Sequence, residues 1–182
     1  MFCKRLKLRD ASFHVTGRSP DQKAFKMDLE NLWKIFSVQL NFLSLSHQMR
    51  VHAFVLMGNH FHILISGEAK KISLILEIFK KSINQMSGEI IIEEFLSTEI
   101  KNPTYYQYAY KYILRNPVSA GLCLKVEDYQ FTSLRNVLGH TNDSFMIFDN
   151  MNLIQNPVRV LRWLNEPSPY PPEIEELNML FS

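Results

Sequence analysis

The sequence predicts an α+β domain, a ferredoxin-like antiparallel sheet with helices packed on one face. Three observations predict it. Short runs that alternate every two residues are interleaved with longer runs at helical spacing. Two strand-like runs are joined by a two-residue turn. The order reads strand, helix, strand, strand, helix, strand, helix, which suits a sheet whose long connections lie over it.

Residues 11–16 (ASFHVT) alternate Phe13 and Val15 with Ser12, His14 and Thr16, and Gly17 closes the run. That is the period of a half-buried strand. Residues 28–46 set Leu29, Leu32, Trp33, Phe36, Leu40 and Leu43 along one stripe of a helix. Residues 50–57 (RVHAFVLM) and 60–66 (HFHILIS) form a hairpin about Gly58-Asn59. Residues 72–86 make a second amphipathic helix. Its apolar side is Ile72, Ile75, Leu76, Phe79 and Ile83; Lys80, Lys81 and Asn84 lie elsewhere, and Gly88 ends it. Residues 89–96 (EIIIEEFL) read as a strand, with a helix as the alternative. Residues 104–115 form a third helix. Asn116-Pro117 breaks it, because a proline disfavours helical geometry in the residue before it. Pro117 then opens a short helical turn that Gly121 closes. From about residue 127 the chain turns acidic and is punctuated by Pro157, Pro167, Pro169, Pro171 and Pro172. The expected division is a domain over 1–138 and an acidic, Pro-rich extension over 139–182.

The 182 residues suffice for one domain with a real core. Two cysteines, Cys3 and Cys123, cannot build a disulfide framework and lack metal-ligand spacing, which points to the reducing cytoplasm. No apolar run is long enough to span a membrane, and no apolar stretch follows the basic start as a signal peptide would require. The net charge of +2 singles out no partner. Its distribution is uneven: residues 1–26 carry net +5 and residues 127–182 net −5. A basic front half could follow a phosphate backbone, though on charge alone a solvated basic end is the better account.

Two groups of residues carry chemistry. His60 and His62 stand at i and i+2 of a strand, so both imidazoles project from one face while Phe61 projects from the other. Two neutral imidazoles side by side begin a divalent metal site. A bare His-x-His is also compatible with polar residues on a solvated strand. The third helix holds Tyr105, Tyr106, Tyr108, Tyr110 and Tyr112. Most such tyrosines are packing residues with a wet phenol tip. Tyr112 differs because Asn116 lies four residues on, about one turn away, where its amide oxygen could join the two histidines.

MGNHFHILI (57–65) resembles the histidine-x-histidine signature of the single-tyrosine HUH transposase family. YKYILRNPVSAGL (110–122) resembles the same family's tyrosine signature, in which "NPVxAGL" follows the tyrosine. FHVTGR (13–18) is similar to its first strand, and EDYQFTSL (127–134) to the segment after the tyrosine helix. These blocks keep the family's order over roughly residues 11–138. The Tyr-x-x-x-Asn-Pro spacing resembles the branch associated with repetitive extragenic palindromes.

The resemblance implies a cytoplasmic transposase that nicks and rejoins single-stranded DNA, next to a hairpin, through a 5′-phosphotyrosine intermediate. It implies Tyr112 as nucleophile and Mg²⁺ or Mn²⁺ on His60, His62 and Asn116. Arg18, Lys80, Lys81, Lys111 and Arg115 become candidate DNA contacts. The protein would act as a monomer or homodimer. One departure stands out: the family has a Gly- and Arg-containing segment before the tyrosine helix, where this chain has the acidic and apolar GEIIIEEFLSTEIKNP. A catalytically decayed or domesticated nucleic-acid-binding protein of the same fold is the alternative. An unrelated zinc enzyme using His60 and His62 is a third reading.

Overall fold

Phe13 and Val15 face one side of the first strand, and His14 and Thr16 the other; this parity organises the whole protein. The computed structural model describes residues 10–141 and 145–167. Four strands appear among them: β1 (Asp10–Arg18), β2 (Arg50–Leu56), β3 (His60–Glu68) and β4 (Phe95–Ile100). The helices are α1 (Leu29–His47), α2 (Ala69–Ser87), α3 (Pro103–Ser119), α4 (Ser133–Val137) and α5 (Pro157–Asn165). The strands pair antiparallel in the order β2-β3-β1-β4, with β1 and β3 central. This is an α+β sheet with helices packed on it, as expected.

Local chemistry sets the ends. The Asp28 carboxylate caps α1 by accepting from Asn31 N–H at 2.9 Å, and Gln48 leaves the helix in the left-handed region at φ 54°. Gly88 ends α2 at φ 72°, a conformation open to glycine at little cost. The β2–β3 hairpin closes where Met57 N–H donates to His60 C=O at 2.8 Å, leaving Gly58 and Asn59 as the two-residue turn.

The two faces of the sheet bury two cores. Phe13, Val15, Phe54, Phe61, Ile63 and Ile65 pack against α1 and α2. Ala53, Val55 and Leu64 pack against Tyr106, Ala109, Tyr110 and Ile113 of α3. Helices on one face therefore describe α1 and α2 only; α3 covers the opposite face. β1 and β3 are buried on both sides, which is why His14, Thr16 and His62 are enclosed despite their polarity.

Two element boundaries move. The strand expected at 89–96 forms later, at Phe95–Ile100. Ile91 and Ile92 instead plug the first core. Their backbone is satisfied by one side chain: both N–H groups donate to Asn84 Oδ1, at 2.9 and 3.0 Å, and Ile92 C=O accepts from Asn84 Nδ2 at 2.8 Å. The break expected at Asn116-Pro117 does not occur, and α3 runs through Pro117. A proline removes one donor near the end of the helix, while burial of Tyr112, Ile113, Leu114 and Pro117 holds the backbone helical on either side.

The sequence boundary at 138 is not an edge of the packing. Phe145 joins the first core, and Leu153, Val160 and Leu164 join the second. Val51 makes an isolated parallel bridge with Ile147. Pro169, Pro171 and Pro172 lie outside the described residues. Among the described residues no helix is long and apolar enough to cross a membrane.

Candidate functional site

The second face of the sheet brings β3 and α3 together. His60 and His62 project from β3 towards α3, and Phe61 points into the first core. On α3, Tyr112 and Asn116 stand one turn apart and both face the strand. The Asn116 amide joins the three others. Its Oδ1 is 3.4 Å from His60 Nε2; its Nδ2 is 3.2 Å from His62 Nε2 and donates to the Tyr112 hydroxyl at 3.3 Å. The two imidazoles meet edge to face at 5.1 Å between centroids, and the Tyr112 ring meets His62 the same way at 5.3 Å.

Each histidine is oriented from behind. His60 Nδ1 lies 2.7 Å from Asn59 Oδ1, so it carries the proton and donates. His60 Nε2 then faces the Asn116 carbonyl oxygen, from which it can accept no proton in this tautomer. His62 Nδ1 lies 3.2 Å from His14 Nε2 on β1. With His62 donating there, its Nε2 also keeps a lone pair towards Asn116. Second partners of this kind fix the tautomer and aim of metal-binding histidines.

Electrostatics keep the rings neutral. Burial pulls His62 well below the usual imidazole range, with His14, His60 and Arg18 adding repulsion. Burial also lowers His60; the Asn116 hydrogen bond opposes this and the Arg18 charge adds to it. His14 is brought down to about 4 by burial. Neutral imidazoles are the form that binds metal.

The donor set fits a divalent ion. Metal–nitrogen bonds of about 2.0–2.1 Å place neighbouring donors roughly 2.9–3.4 Å apart. The 3.4 Å between His60 Nε2 and Asn116 Oδ1 falls in that range; the 3.2 Å contact of His62 Nε2 is to the amide nitrogen, which is a hydrogen-bond donor and no ligand. Among the described residues no three His, Cys, Asp or Glu side chains group as metal ligands, so a third protein donor beside His60 and His62 would have to be the Asn116 amide oxygen. Two imidazoles and an amide oxygen, with no thiolate, are ligand types open to a divalent ion.

The expected cations scatter. Arg18 ends β1 opposite His60 in the ladder, beside the histidines. Lys80 and Lys81 lie on α2, across the sheet from His60 and His62, and Lys80 pairs with Glu77 at 3.0 Å. Arg115 donates to Leu164 C=O at 3.3 Å and Asn165 C=O at 2.6 Å, tying α3 to the end of α5. Lys111 is buried against Trp163, its ammonium 5.1 Å from the ring centroid.

Two supporting residues escaped the sequence reading. His14 was visible only as one polar residue on an alternating strand; its place beside His62 depends on β1–β3 pairing. Asn59 read as a turn residue. The turn is itself anchored: Phe25 N–H donates to Gly58 C=O and Ser19 N–H to Asn59 C=O, each at 2.9 Å.

No protein-family model and no curated protein matches the chain. A solved structure does share its fold: a REP-associated tyrosine transposase bound to a REP hairpin, with TM-score 0.62 and 17% sequence identity. The match covers 79% of this chain and 93% of that one. At this identity the likeness shows the fold.

Proposed function

We propose that this chain is a transposase-type strand transferase that nicks and rejoins single-stranded DNA beside a hairpin, with Tyr112 as the nucleophile. One observation carries the reading: the two Nε2 atoms, the Asn116 amide and the Tyr112 hydroxyl meet within 3.2–3.4 Å contacts on one face of the sheet. The fold shared with a hairpin-bound tyrosine transposase supports it.

His60, His62 and Asn116 would hold Mg²⁺ or Mn²⁺. Such an ion acts as a Lewis acid on a phosphoryl oxygen and eases departure of the leaving oxygen. The protein's own residues do the rest. His14 and Asn59 hold the imidazole protons at Nδ1, so both Nε2 atoms stay available. Asn116 Nδ2 donates to the Tyr112 oxygen and stabilises negative charge there as the phenol loses its proton. A phenol with an ordinary pKa near 10 needs such help. The Tyr112 oxygen forms a bond to the scissile phosphorus, and the bond from phosphorus to the 3′-oxygen breaks. The 3′-oxygen takes up a proton and leaves as a hydroxyl. A second 3′-hydroxyl reverses the step and joins the strands without ATP.

The test is a covalent adduct. Hairpin-bearing single-stranded DNA with Mn²⁺ should give a protein–DNA species stable to denaturing gel, absent in Tyr112→Phe. An adduct that survives Tyr112→Phe assigns the nucleophile elsewhere. The competing reading, a binding protein of the same fold without catalysis, draws on the acidic and apolar segment GEIIIEEFLSTEIKNP that leads into α3. DNA binding with no adduct under any divalent ion would favour it.

A further inference from the structure

A second feature of α3 lies outside the metal–tyrosine set. Thr104, Gln107, Tyr108 and Lys111 form one stripe of the helix, at i, i+3, i+4 and i+7, and border a cavity of about 280 Å³ closed by Trp163 and Glu166 beyond them. Lys111 is only 1% exposed. Its ammonium rests over the Trp163 ring, and among the described residues it has no hydrogen bond and no ion pair. Burial draws its pKa below the usual lysine value; Arg115 adds to this and Glu166 opposes it. Lys111 borders the cavity, so a ligand that brings an acceptor there gains a charge-assisted hydrogen bond.

The walls say which ligand. Trp163 and Tyr108 offer aromatic surface, on which bases stack with little regard to sequence. The Glu166 carboxylate at the rim repels a phosphate dianion. The volume lies at the low end for small-molecule pockets and suits one ring system rather than two stacked ones. Tyr112 stands one turn after Tyr108, so the cavity adjoins the turn of α3 that carries the tyrosine.

We propose that the cavity takes one unstacked base of the single-stranded DNA, stacked against Trp163 and accepting a hydrogen bond from Lys111 Nζ. Guanine suits it best: O6 accepts from Lys111, while N1–H and N2–H₂ donate to Glu166. The DNA is the partner proposed above, so the inference rests on that reading.

The test uses the full chain and two hairpin-bearing DNAs with a 12-nucleotide single-stranded arm, one with a central guanine in the arm and one with an abasic position in its place. Binding is followed by anisotropy of a labelled strand and by tryptophan fluorescence. The guanine strand should quench fluorescence, and Trp163→Phe should abolish the quench. It should bind about tenfold tighter than the abasic strand, as expected for one stacked base. Lys111→Met keeps the buried stem and should erase that preference. If Lys111→Met fails to fold, Glu166→Gln at the exposed rim should reduce the preference for guanine over adenine. Binding without quenching, or with equal affinity for both strands, overturns the pocket and leaves the transferase reading standing. No binding of either strand overturns both. Quenching by dGMP alone, with no gain from the strand, assigns the cavity to a free nucleotide and overturns the DNA source.

Discussion

Asn116 Nδ2 lies 3.3 Å from the hydroxyl of Tyr112, one turn earlier on α3, although a proline follows Asn116 directly. The same amide reaches both histidines of β3. Asn116→Ala should therefore remove the proposed metal donor and the hydrogen bond to the phenol together. Adduct formation with Mn²⁺ should fall below a hundredth of wild type, while the melting temperature without metal changes little. Adduct at wild-type level in Asn116→Ala would mean the amide has neither role.

Metal binding should appear as stability. An ion that binds only the folded chain adds about 2.7 kcal/mol at a hundred times its Kd. Saturating Mn²⁺ should raise the urea midpoint of the wild-type protein, and EDTA should reverse the gain. His60→Gln should lose the gain while retaining the fold, since His60 stands at the partly exposed end of β3. An equal Mn²⁺ gain in His60→Gln would place the ion elsewhere.

Gly17 faces Phe61 across the ladder, and a Cβ there would meet the Phe61 ring at 2.5 and 2.7 Å. Phe61 lies between His60 and His62 and is fully buried among Phe36, Phe54 and Phe79. It has little room to retreat. Gly17→Ala should cost about 1–3 kcal/mol by denaturant unfolding, the usual range for overpacking. A change below about 0.5 kcal/mol would show that the ring moves freely.

His52 is a buried neutral imidazole on β2, outside the His60–His62–Asn116 group. It contacts Ser66 Oγ at 2.8 Å and Phe148 C=O at 3.2 Å. Burial lowers its pKa from 6.5 to about 4; the Phe148 hydrogen bond opposes this and the Arg50 charge adds to it. Between those two values the unfolded chain binds a proton at this site and the native chain does not. Stability is therefore fully present above pH 6.5 and declines as pH falls towards 4, by up to about 3 kcal/mol from this group. Urea midpoints at pH 7 and 5 should show the loss. An NMR titration placing the His52 ring near 6.5 in the folded protein would remove the cause.

Arg115 should behave as a structural cation. Its guanidinium donates to Leu164 and Asn165 carbonyls at the last turn of α5. Arg115→Gln should cost on the order of 1–2 kcal/mol in stability. The dependence of DNA affinity on salt should stay the same. A salt slope reduced by about one would instead make Arg115 a phosphate contact.

Much of this protein is legible in local pattern. Alternation in 11–16 and 60–66, the apolar stripes of 28–46 and 72–86, and the turn at Gly58-Asn59 depend on neighbours in the chain, and each forms where the pattern puts it. The side-by-side histidines follow from strand geometry, and the Tyr112–Asn116 spacing from one helical turn. Long-range packing decided the rest. The apolar run at 90–92 matched a strand, but Ile91 and Ile92 enter the core between the sheet and its helices, and the Asn84 carboxamide takes up their backbone groups. The local rule against helix before a proline was correct as a tendency and lost to the burial of α3 on the sheet. No pattern in the sequence says that α3 crosses to the face bearing His60 and His62, because sheet order and register join residues some 50 positions apart. That crossing brings Asn116 to the histidines, sets His14 behind His62, and turns Lys111 away from solvent onto Trp163.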